Sequence, residues 1–311
     1  MHYKTRAGEL SAVDDVSFKL EEGDSLGLVG ESGCGKTSVA LTILKLLPEN
    51  GYIKGGKIII NGKDITNYTE NQMRKVRWGE VSMVFQAAMN ALNPVYRVGD
   101  QIEEAMVTHL PPLSKEDMQA RIDELFRLVG LDPALKTRYP HEFSGGMRQR
   151  AIIAMALSCG PILIIADEPT TALDVIVQDS LLREMREFQK KLGMAMIYVS
   201  HDVGVIAEVS ERVGVMYAGR MAELGTTAAI FHDPIHPYTM ALMSSFPSIV
   251  GEKTELVSLP GEPPNLLNPP SGCRFHPRCP FATQICIDQN PDFVEHEPGH
   301  FAACWHPRGK K

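Results

Sequence analysis

The sequence predicts an α/β protein with a largely parallel sheet and an inserted helical subdomain, followed by a small irregular tail rich in cysteine. Up to about residue 235 apolar strands alternate with amphipathic helices, but between residues 90 and 158 only helical segments remain. Four of the six cysteines lie in the last 39 residues, and ten of the 21 prolines lie from Pro260 onward. We therefore expect one domain over residues 1–235, with the helical subdomain at about 90–158, and an extension over residues 236–311. The boundary is placed between about Asp233 and Ser248.

Each predicted element has its own local signal. Short apolar runs predict strands at residues 25–29, 58–61, 81–85, 162–166, 194–200 and 212–217. Apolar residues at helical spacing predict helices at residues 37–47, 116–129, 145–157 and 174–192. No strand is predicted before residue 25, and only 29 residues precede the first glycine-rich loop. The sequence leaves open whether an N-terminal strand is missing.

Composition and charge exclude several classes of protein. A hydrophobic content of 44% with 22% charged residues is ordinary for a globular protein and excludes disordered and fibrous classes. The 31 basic and 38 acidic side chains give a formal charge of −7, whereas nucleic-acid binders usually carry a basic excess. No apolar run approaches the ~18 to 20 residues of a membrane span. We expect a soluble cytosolic protein with no leader peptide and no nucleic-acid partner.

A phosphate-binding loop is predicted at residues 30–37, where the chain reads GESGCGKT. The loop follows a predicted strand and opens a predicted helix, and its glycines allow consecutive N–H groups to turn inward around an anion. Lys36 is expected to reach the β- and γ-phosphates of a nucleotide, and the Thr37 hydroxyl is expected to bind Mg²⁺. The alternative is an ordinary glycine-rich turn between a strand and a helix.

A pair of carboxylates, Asp167 and Glu168, follows the apolar strand at residues 162–166. An acidic pair at a strand end can be a solvated terminus. Beside a phosphate loop, however, Asp167 is placed to hold Mg²⁺ directly or through water, and Glu168 is placed to meet an attacking water molecule. The functional interpretation is favoured.

Residues 144–149 read SGGMRQ and resemble the signature motif of the ATP-binding-cassette ATPases. In the order used by that family, the chain also carries Gln86 of the Q-loop, the sequence ALD at residues 172–174 and the switch histidine His201. Taken singly, Gln86 is most often a surface residue and His201 most often a structural histidine. The motifs occur in this order over about 170 residues, which makes a coincidence untenable.

The resemblance implies a RecA-like nucleotide-binding core with an inserted helical subdomain. It also implies that two cassettes pair head to tail, so that the signature of one closes over the ATP held by the other. Catalytic roles fall to Glu168, His201 and Lys36, and the Mg²⁺ ligands are Thr37, Gln86 and Asp167. Tyr3 matches the aromatic residue that stacks on adenine, although an exposed aromatic near a terminus is an alternative. The implied ATP contacts are Tyr3, Gly30, Ser32, Gly33, Cys34, Gly35, Lys36, Thr37, Ser38, Gln86, Ser144, Gly145, Gly146 and Asp174.

Within the family, the chain is most similar to the D-type ATPase subunit of dipeptide and oligopeptide importers. The motifs that carry this similarity are ALNP at residues 91–94, PTTALDV at 169–175, HPY at 236–238 and GCRFHPRCP at 272–280. Two departures are Ala87-Ala88 in place of the usual Asp-Pro, and Phe143 in place of leucine. The similarity implies a second ATPase subunit, identical or paralogous, two transmembrane permease subunits and, indirectly, an extracytoplasmic solute-binding protein.

That assembly implies a peripheral position at the cytoplasmic face of the cell membrane. The cargo is expected to be peptides, with an oligosaccharide or nickel as alternatives. A soluble cassette protein that takes no part in transport, and a tail that acts mainly as a redox or iron sensor, are the competing functions.

The cysteines of the tail have the spacing C-x5-C-x6-C-x17-C, formed by Cys273, Cys279, Cys286 and Cys304. The spacing lacks the C-x-x-C pairs of structural zinc sites and leaves the metal undecided. In the cytosol a metal is favoured over two disulfides. The resemblance adds that this tail can hold a [4Fe-4S] cluster; zinc ranks second and free thiols third. His276 or His306 could replace a thiolate, and Cys34 and Cys159 are interpreted as buried small residues.

Overall fold

The computed structural model describes residues 1–86, 91–171, 173–245 and 261–309. The strands in chain order are β1 (His2–Thr5), β2 (Gly8–Ser11), β3 (Ser25–Val29), β4 (Gly51–Tyr52), β5 (Ile59–Ile60), β6 (Lys63–Asp64), β7 (Val81–Val84), β8 (Leu163–Asp167), β9 (Ala195–Val199), β10 (Arg212–Tyr217), β11 (Arg220–Thr226), β12 (Val294–Glu297) and β13 (His300–Ala302). The helices are α1 (Lys36–Ile43), α2 (Glu70–Val76), α3 (Val98–His109), α4 (Lys115–Leu128), α5 (Gly145–Leu157), α6 (Val175–Leu192), α7 (Val203–Val209), α8 (Thr227–His232), α9 (Pro237–Ser244) and α10 (Gln284–Asp288).

The chain divides into two units. Unit 1 comprises Met1–Lys19, Ser25–Gly56 and Val199–Lys311, and unit 2 comprises Leu20–Asp24 and Lys57–Tyr198. The predicted residues Ala87, Ala88 and Ala172, and the C-terminal end of the predicted domain boundary at Ser248, lie outside the described residues.

Strands of unit 1 follow the order β12-β13-β11-β10-β3. β3 is buried along its whole length and pairs in parallel with β10, with Val215 opposite Val29. β10 then turns back into β11 through Ala218 and Gly219, whose φ angles are +48° and +83°. Two consecutive positive φ values are typical of a type I′ turn, which forces an antiparallel hairpin. This part of the sheet is therefore mixed rather than largely parallel as predicted.

The tail adds strands to this sheet and is less irregular than predicted. β13 pairs antiparallel with β11, with Ala302 opposite Glu223, and β12 pairs antiparallel with β13. The Glu223 carboxylate, which is fully buried, accepts hydrogen bonds from the backbone N–H groups of Ile235 (2.7 Å) and His236 (2.8 Å). It also lies 2.7 Å from Nε2 of His300. The tail is thus anchored on β11 both by backbone pairing and by a buried carboxylate.

A small antiparallel sheet of order β2-β1-β4 joins two strands that precede the glycine-rich loop to one strand that follows it. Tyr3 on β1 lies opposite Leu10 of β2 and Gly51 of β4. The sequence predicted no strand here because β1 and β2 are four residues long, half-buried or exposed, and lack an apolar run.

Unit 2 contains strands in the order β9-β8-β7, of which β7 and β8 pair in parallel from Val81 opposite Leu163 to Val84 opposite Ala166. In the described part of residues 91–158 the elements are α3, α4, α5 and two short 3-10 turns, with no strand. Ile102, Ile122, Phe126 and Ile153 are almost completely buried within these helices. The predicted helix at residues 145–157 lies where expected, and that at 116–129 is shifted by one residue.

No helix within the described residues is long and apolar enough to cross a membrane.

Candidate functional site

Three glycines shape the loop between β3 and α1. Gly30, Gly33 and Gly35 have φ angles of +146°, +77° and +104°, a region that favours glycine. A Cβ atom on Gly30 would lie 2.2 Å from the carbonyl oxygen of Met216, and one on Gly35 would lie 2.3 Å from that of Ala12. The loop thus needs glycine for its backbone angles and also for its close contacts. Helix α1 begins at the next residue, with no side-chain cap and no acidic residue in its first turn.

Lys36 is buried within this loop. Its Nζ donates to the carbonyl oxygens of Gly30 at 2.7 Å and of Glu31 at 3.1 Å, and lies 3.6 Å from Sγ of Cys34. Burial raises the pKa of the Cys34 thiol, so this side chain is a neutral neighbour of the ammonium group. Carbonyl oxygens are weaker partners for an ammonium group than anionic phosphate oxygens. The arrangement therefore holds a cation ready for an anionic ligand.

Other predicted contacts of unit 1 lie around the loop. Ser32, Gly33 and Thr37 are exposed. The Tyr3 hydroxyl lies 3.5 Å from Oγ of Ser38 in α1, which brings β1 next to the loop helix. His201 is also exposed and directly precedes Asp202, whose carboxylate caps α7 by accepting from the N–H groups of Gly204 and Val205.

In unit 2 the predicted acidic pair lies at the end of β8. Asp167 is buried, and Glu168 has a φ of +48°. Oε2 of Glu168 accepts hydrogen bonds from Nε2 of Gln86 at 2.7 Å and from the Thr171 hydroxyl at 3.0 Å. The structure therefore brings together the predicted Q-loop glutamine and the predicted general base, which are 82 residues apart. Sequence reasoning missed Thr171, although it lies within the PTTALDV motif.

Ser144 and Asp174, which were predicted to act across a pair of cassettes, are both helix caps. The Ser144 hydroxyl accepts from the N–H of Met147 at 3.3 Å at the start of α5. The Asp174 carboxylate accepts from the N–H of Val177 at 2.9 Å at the start of α6. Val177 also leaves no room for a side chain at position 146, because a Cβ atom on Gly146 would lie 2.8 Å from Cγ1 of Val177. Helices α5 and α6 are thus packed together at their N-termini.

The predicted cysteine cluster is not confirmed. Within the described residues no group of three or more His, Cys, Asp or Glu side chains is placed so that it could hold a metal ion. The cysteines do share one region, because the N–H of Cys273 donates to the carbonyl of Cys286 at 2.8 Å. Burial, with smaller contributions from neighbouring cysteines, raises the pKa of Cys273 to about 11 and that of Cys304 to about 12. A metal bound at these cysteines would displace their protons, because only the thiolate is a metal ligand.

The remaining candidates from the sequence lie in structural positions. His276 lies 3.0 Å from the Cys273 carbonyl, and His306 lies 2.6 Å from the Thr283 hydroxyl. Cys159 is buried, as predicted, and so is Phe143, which replaces the usual leucine.

One set of contacts at the phosphate loop was missed completely. Glu31, the second residue of the loop, pairs with Arg278 of the tail and with the hydroxyl group of Tyr238. The two partners lie 247 and 207 residues away along the chain. The sequence showed both as parts of separate motifs and carried no signal that would join them.

Comparison with known proteins agrees with this geometry. Residues 13–171 match the ABC transporter family, and residues 222–286 match the oligopeptide/dipeptide transporter C-terminal region. The oligopeptide transport ATP-binding protein OppD of Bacillus subtilis is 45% identical over 99% of this chain and 88% of its own length. The dipeptide transport ATP-binding protein DppD of Lactococcus lactis is 42% identical over 100% of this chain and 90% of its own length.

Solved structures show the same fold. The cbiO1 protein of Clostridium perfringens, part of the ABC transporter complex cbiONQ, covers 75% of this chain and 88% of its own chain, with 25% identity and a TM-score of 0.66. A dimeric structure of the bacterial ABC transporter cassette MJ0796 covers 73% of this chain and 95% of its own, with 25% identity and a TM-score of 0.64. These matches confirm the predicted α/β cassette fold. The chain therefore belongs to the ABC transporter ATPases, in the group that carries the oligopeptide/dipeptide transporter C-terminal region.

Proposed function

We propose that the chain is the ATP-hydrolysing subunit that powers import of dipeptides and oligopeptides through an ABC transporter. The observation that carries the proposal is the Gln86–Glu168 contact at the end of β8, in a chain that matches peptide-transport ATP-binding proteins over nearly its whole length. The match to the C-terminal region of oligopeptide/dipeptide transporters supports peptides as the cargo.

In the proposed site the loop at residues 30–37 holds the phosphates of ATP. Lys36 exchanges the carbonyl oxygens of Gly30 and Glu31 for β- and γ-phosphate oxygens. The exchange is favourable because the new acceptors are negatively charged, whereas the carbonyl oxygens are neutral. Tyr3 stacks on adenine, and its pairing within the β2-β1-β4 sheet holds it beside α1. The backbone and side chains that line the phosphates are those of Gly30, Ser32, Gly33, Cys34, Gly35, Thr37 and Ser38.

Three residues would hold Mg²⁺: Thr37, Asp167 and Gln86. A hydroxyl, a carboxylate and an amide oxygen are the kinds of ligand that Mg²⁺ prefers. Gln86 can orient Glu168 and bind Mg²⁺ at the same time. Its amide nitrogen donates to Glu168, and its amide oxygen is left to bind the cation. When bound, the ion neutralises charge on the β- and γ-phosphates.

Glu168 is the proposed general base. The bonds from Gln86 and Thr171 fix the orientation of its carboxylate, so that it can accept a proton from the attacking water molecule. His201 is proposed to hold the γ-phosphate and to orient the same water molecule. These two residues and Lys36 make up the catalytic set.

The second half of each site comes from a partner cassette, either a second copy of this chain or a paralogue. The N-terminal end of α5, with Ser144, Gly145 and Gly146, has the dipole and N–H groups that suit a phosphate. Asp174 would organise the contact between cassettes. Val175 and Ile176, which follow it, are 79% and 83% exposed, as is typical of residues buried only in an assembly.

Two permease subunits and, through them, a solute-binding protein complete the proposed transporter. The chain would lie on the cytoplasmic face of the membrane. ATP closes the pair of cassettes and hydrolysis reopens it, and this motion is passed to the permeases through the segment that follows Gln86.

Reconstitution into vesicles tests this function directly. The chain, its partner cassette, the permeases and the binding protein from neighbouring genes are assembled, and uptake of labelled peptides is measured with and without ATP. We expect ATP-dependent peptide uptake, its loss in Glu168→Gln, and its retention in Glu187→Gln, a matched change at an exposed position of α6. Uptake of nickel or an oligosaccharide but no peptide would replace the proposed cargo, and ATP hydrolysis without transport of any solute would favour a soluble cassette protein.

We propose separately that Cys273, Cys279, Cys286 and Cys304 hold a [4Fe-4S] cluster. Support comes from the donor set, since four thiolates satisfy such a cluster completely. The side chains as placed do not form a metal-holding group, so no step of the mechanism depends on the cluster. Elemental analysis of anaerobically purified protein decides the matter: about four irons per chain are expected.

Two cysteine variants provide the controls for the metal measurement. Cys273→Ser should lose the iron and expose the tail to protease, whereas Cys159→Ser, outside the tail, should keep the iron. About one zinc per chain, with no iron, would indicate a tetrahedral zinc site instead of an iron–sulfur cluster. The absence of both metals would leave free thiols.

A further inference from the structure

A partly buried ion pair joins the tail to the phosphate loop. Nη1 of Arg278 lies 2.7 Å from Oε2 of Glu31, and Nη2 lies 3.0 Å from Oε1. The Arg278 side chain is 5% exposed and that of Glu31 is 24% exposed. Two parallel bonds between a guanidinium and a carboxylate fix both distance and orientation, and their burial reduces screening by solvent.

Glu31 is held at all three of its polar groups. Its backbone N–H donates to the Tyr238 hydroxyl at 3.0 Å, and its carbonyl accepts from Nζ of Lys36 at 3.1 Å. Its side chain is held by Arg278. Because Glu31 shares its carbonyl with the phosphate-binding lysine, any shift of this residue also moves a partner of Lys36.

The Arg278 guanidinium packs against an aromatic cluster through the Tyr217 ring. Nη1 of Arg278 lies 3.3 Å from the Tyr217 hydroxyl, and its guanidinium lies over the Tyr217 ring, 5.7 Å from the centroid. Tyr217, Tyr238 and Phe275 pack around one another with centroid distances of 4.6 to 5.4 Å. The two neighbouring rings hold the Tyr217 ring in place, and the Tyr217 ring in turn restricts the orientation of the guanidinium.

The charge of Glu31 makes this pair matter for nucleotide binding. A carboxylate in the loop repels an incoming triphosphate, and Coulomb repulsion is stronger at short range and in partly buried sites. A paired guanidinium cancels most of that repulsion. It also keeps the Glu31 carboxylate directed toward the tail.

We infer that Arg278 is a positioning residue for ATP binding: it neutralises Glu31 and fixes the start of the phosphate loop, so that the tail sets the affinity for ATP. This inference rests on the proposed assignment of residues 30–37 as the nucleotide loop. It gives the C-terminal tail a direct role at the loop, in addition to any role in assembly.

Titration of full-length protein with ATP, together with steady-state kinetics, tests the inference. Arg278→Met leaves the Glu31 charge unpaired and should raise the Kd for ATP about tenfold, with KM rising by a similar factor and kcat changing less than about twofold. Glu31→Gln in the same background removes the unpaired charge and should restore the Kd to within about threefold of wild type. Arg278→Lys, which keeps the charge but not the bidentate geometry, should give an intermediate Kd.

Arg308→Met is the matched control. Arg308 is another paired arginine of the tail, but it bonds Asp233 and Glu297, which are remote from the loop in sequence and contacts. The Kd of the Arg308→Met variant for ATP should equal that of wild type. An unchanged Kd in Arg278→Met overturns the inference while leaving the ATPase function intact, and so does a failure of Glu31→Gln to rescue it. Wild-type protein that binds no ATP overturns both this inference and the proposed function.

Discussion

Glu168 has a backbone conformation that non-glycine residues seldom adopt. Its φ of +48° lies in the left-handed region, which costs about 1 to 3 kcal/mol for such a residue. The hydrogen bonds from Gln86 and Thr171 hold the carboxylate in place and help to offset that cost. Strain of this kind, at a carboxylate that ends a buried strand, agrees with a functional role for Glu168.

Lys36 is the single residue whose removal tests the phosphate loop. Lys36→Ala should weaken ATP binding about ten- to a hundred-fold, because a charge-assisted bond to an anion contributes about 1.5 to 3 kcal/mol. Isothermal titration with ATP measures the change. Lys54→Ala, which removes an exposed lysine paired with Glu9 in the same unit, is the control and should leave binding unchanged. Equal affinities for Lys36→Ala and wild type would show that the loop does not bind the phosphates.

Single residues could be predicted where a short motif fixes their chemistry. The glycines at positions 30, 33 and 35 and the lysine at position 36 follow from one spacing, and the structure gives each glycine a positive φ. The Glu31–Arg278 pair could not be predicted, because its members are 247 residues apart and surface glutamate and arginine are common. Only the folded tail brings them together.

Helix α5 begins at the Ser144 cap, in the motif proposed to act on the nucleotide of the partner cassette. Ser144→Arg should abolish ATP hydrolysis and leave ATP binding by the single chain nearly intact, because the phosphate loop is untouched and only the contribution to the partner cassette is lost. Rates of phosphate release and ATP affinity, measured on the same preparation, separate the two effects. An equal loss of binding and hydrolysis would contradict a site shared between cassettes.

Ser114→Arg is the matched control for that variant. Ser114 is also an exposed serine that caps a helix, accepting from the N–H of Asp117 at 3.0 Å at the start of α4. Loss of either cap should cost about 0.5 to 2 kcal/mol of stability. Hydrolysis should survive only in the Ser114 variant, which shows that the effect at Ser144 is not a loss of helix stability.

Helix α9 carries a pH-dependent contribution to stability. Its cap, His236, is 3% exposed and accepts from the N–H of Tyr238 at 2.9 Å, and burial lowers its pKa to about 4. Between about pH 4 and 6.5 the unfolded state binds a proton that the folded state does not. The contribution of His236 is therefore complete above about pH 6.5 and is lost as the pH falls to about 4, by up to ~3 kcal/mol.

Thermal unfolding of His236→Asn as a function of pH measures this contribution. Asparagine is also a good N-cap, so the variant keeps the capping group and loses the titration. Its midpoint should fall less steeply than that of wild type from about pH 6.5 to 4. His232→Asn, at an exposed position of α8, should follow the wild-type slope. Parallel curves for wild type and His236→Asn would show that His236 does not titrate in this range.

Elements were predictable in proportion to their burial. β3 and α5 have the predicted bounds, because a buried strand and a well-packed helix leave strong apolar patterns. Helix α1 ends four residues earlier than predicted, at Ile43, where Leu44 caps the helix and Lys45 takes a φ of +51°. β12 and β13 were missed because they are short and depend on tertiary pairing, β13 with β11 and β12 with β13.

The whole molecule could be predicted as a cassette with a tail, but not the way in which the two are joined. The alternation of apolar strands with helices indicated the α/β fold, and the loss of strand signals between residues 90 and 158 indicated the position of the helical segments. The β10–β11 hairpin and the strands that the tail adds to it depend on a two-residue turn and on tertiary pairing, neither of which leaves a periodic signal. The four clustered cysteines in an expected cytosolic protein, together with the family resemblance, suggested a metal, but the placed side chains of the described residues do not form a metal-holding group.

ATP hydrolysis with Glu168 as the proposed general base is the step on which the proposed function of the whole molecule depends. ATP turnover and ATP binding, measured side by side for wild type and Glu168→Gln with Glu187→Gln as the matched control, test that step. Loss of a positioned base should lower turnover by about 10² to 10⁴ while ATP remains bound and a closed dimer accumulates. Wild-type turnover in Glu168→Gln would show that another group activates the attacking water molecule.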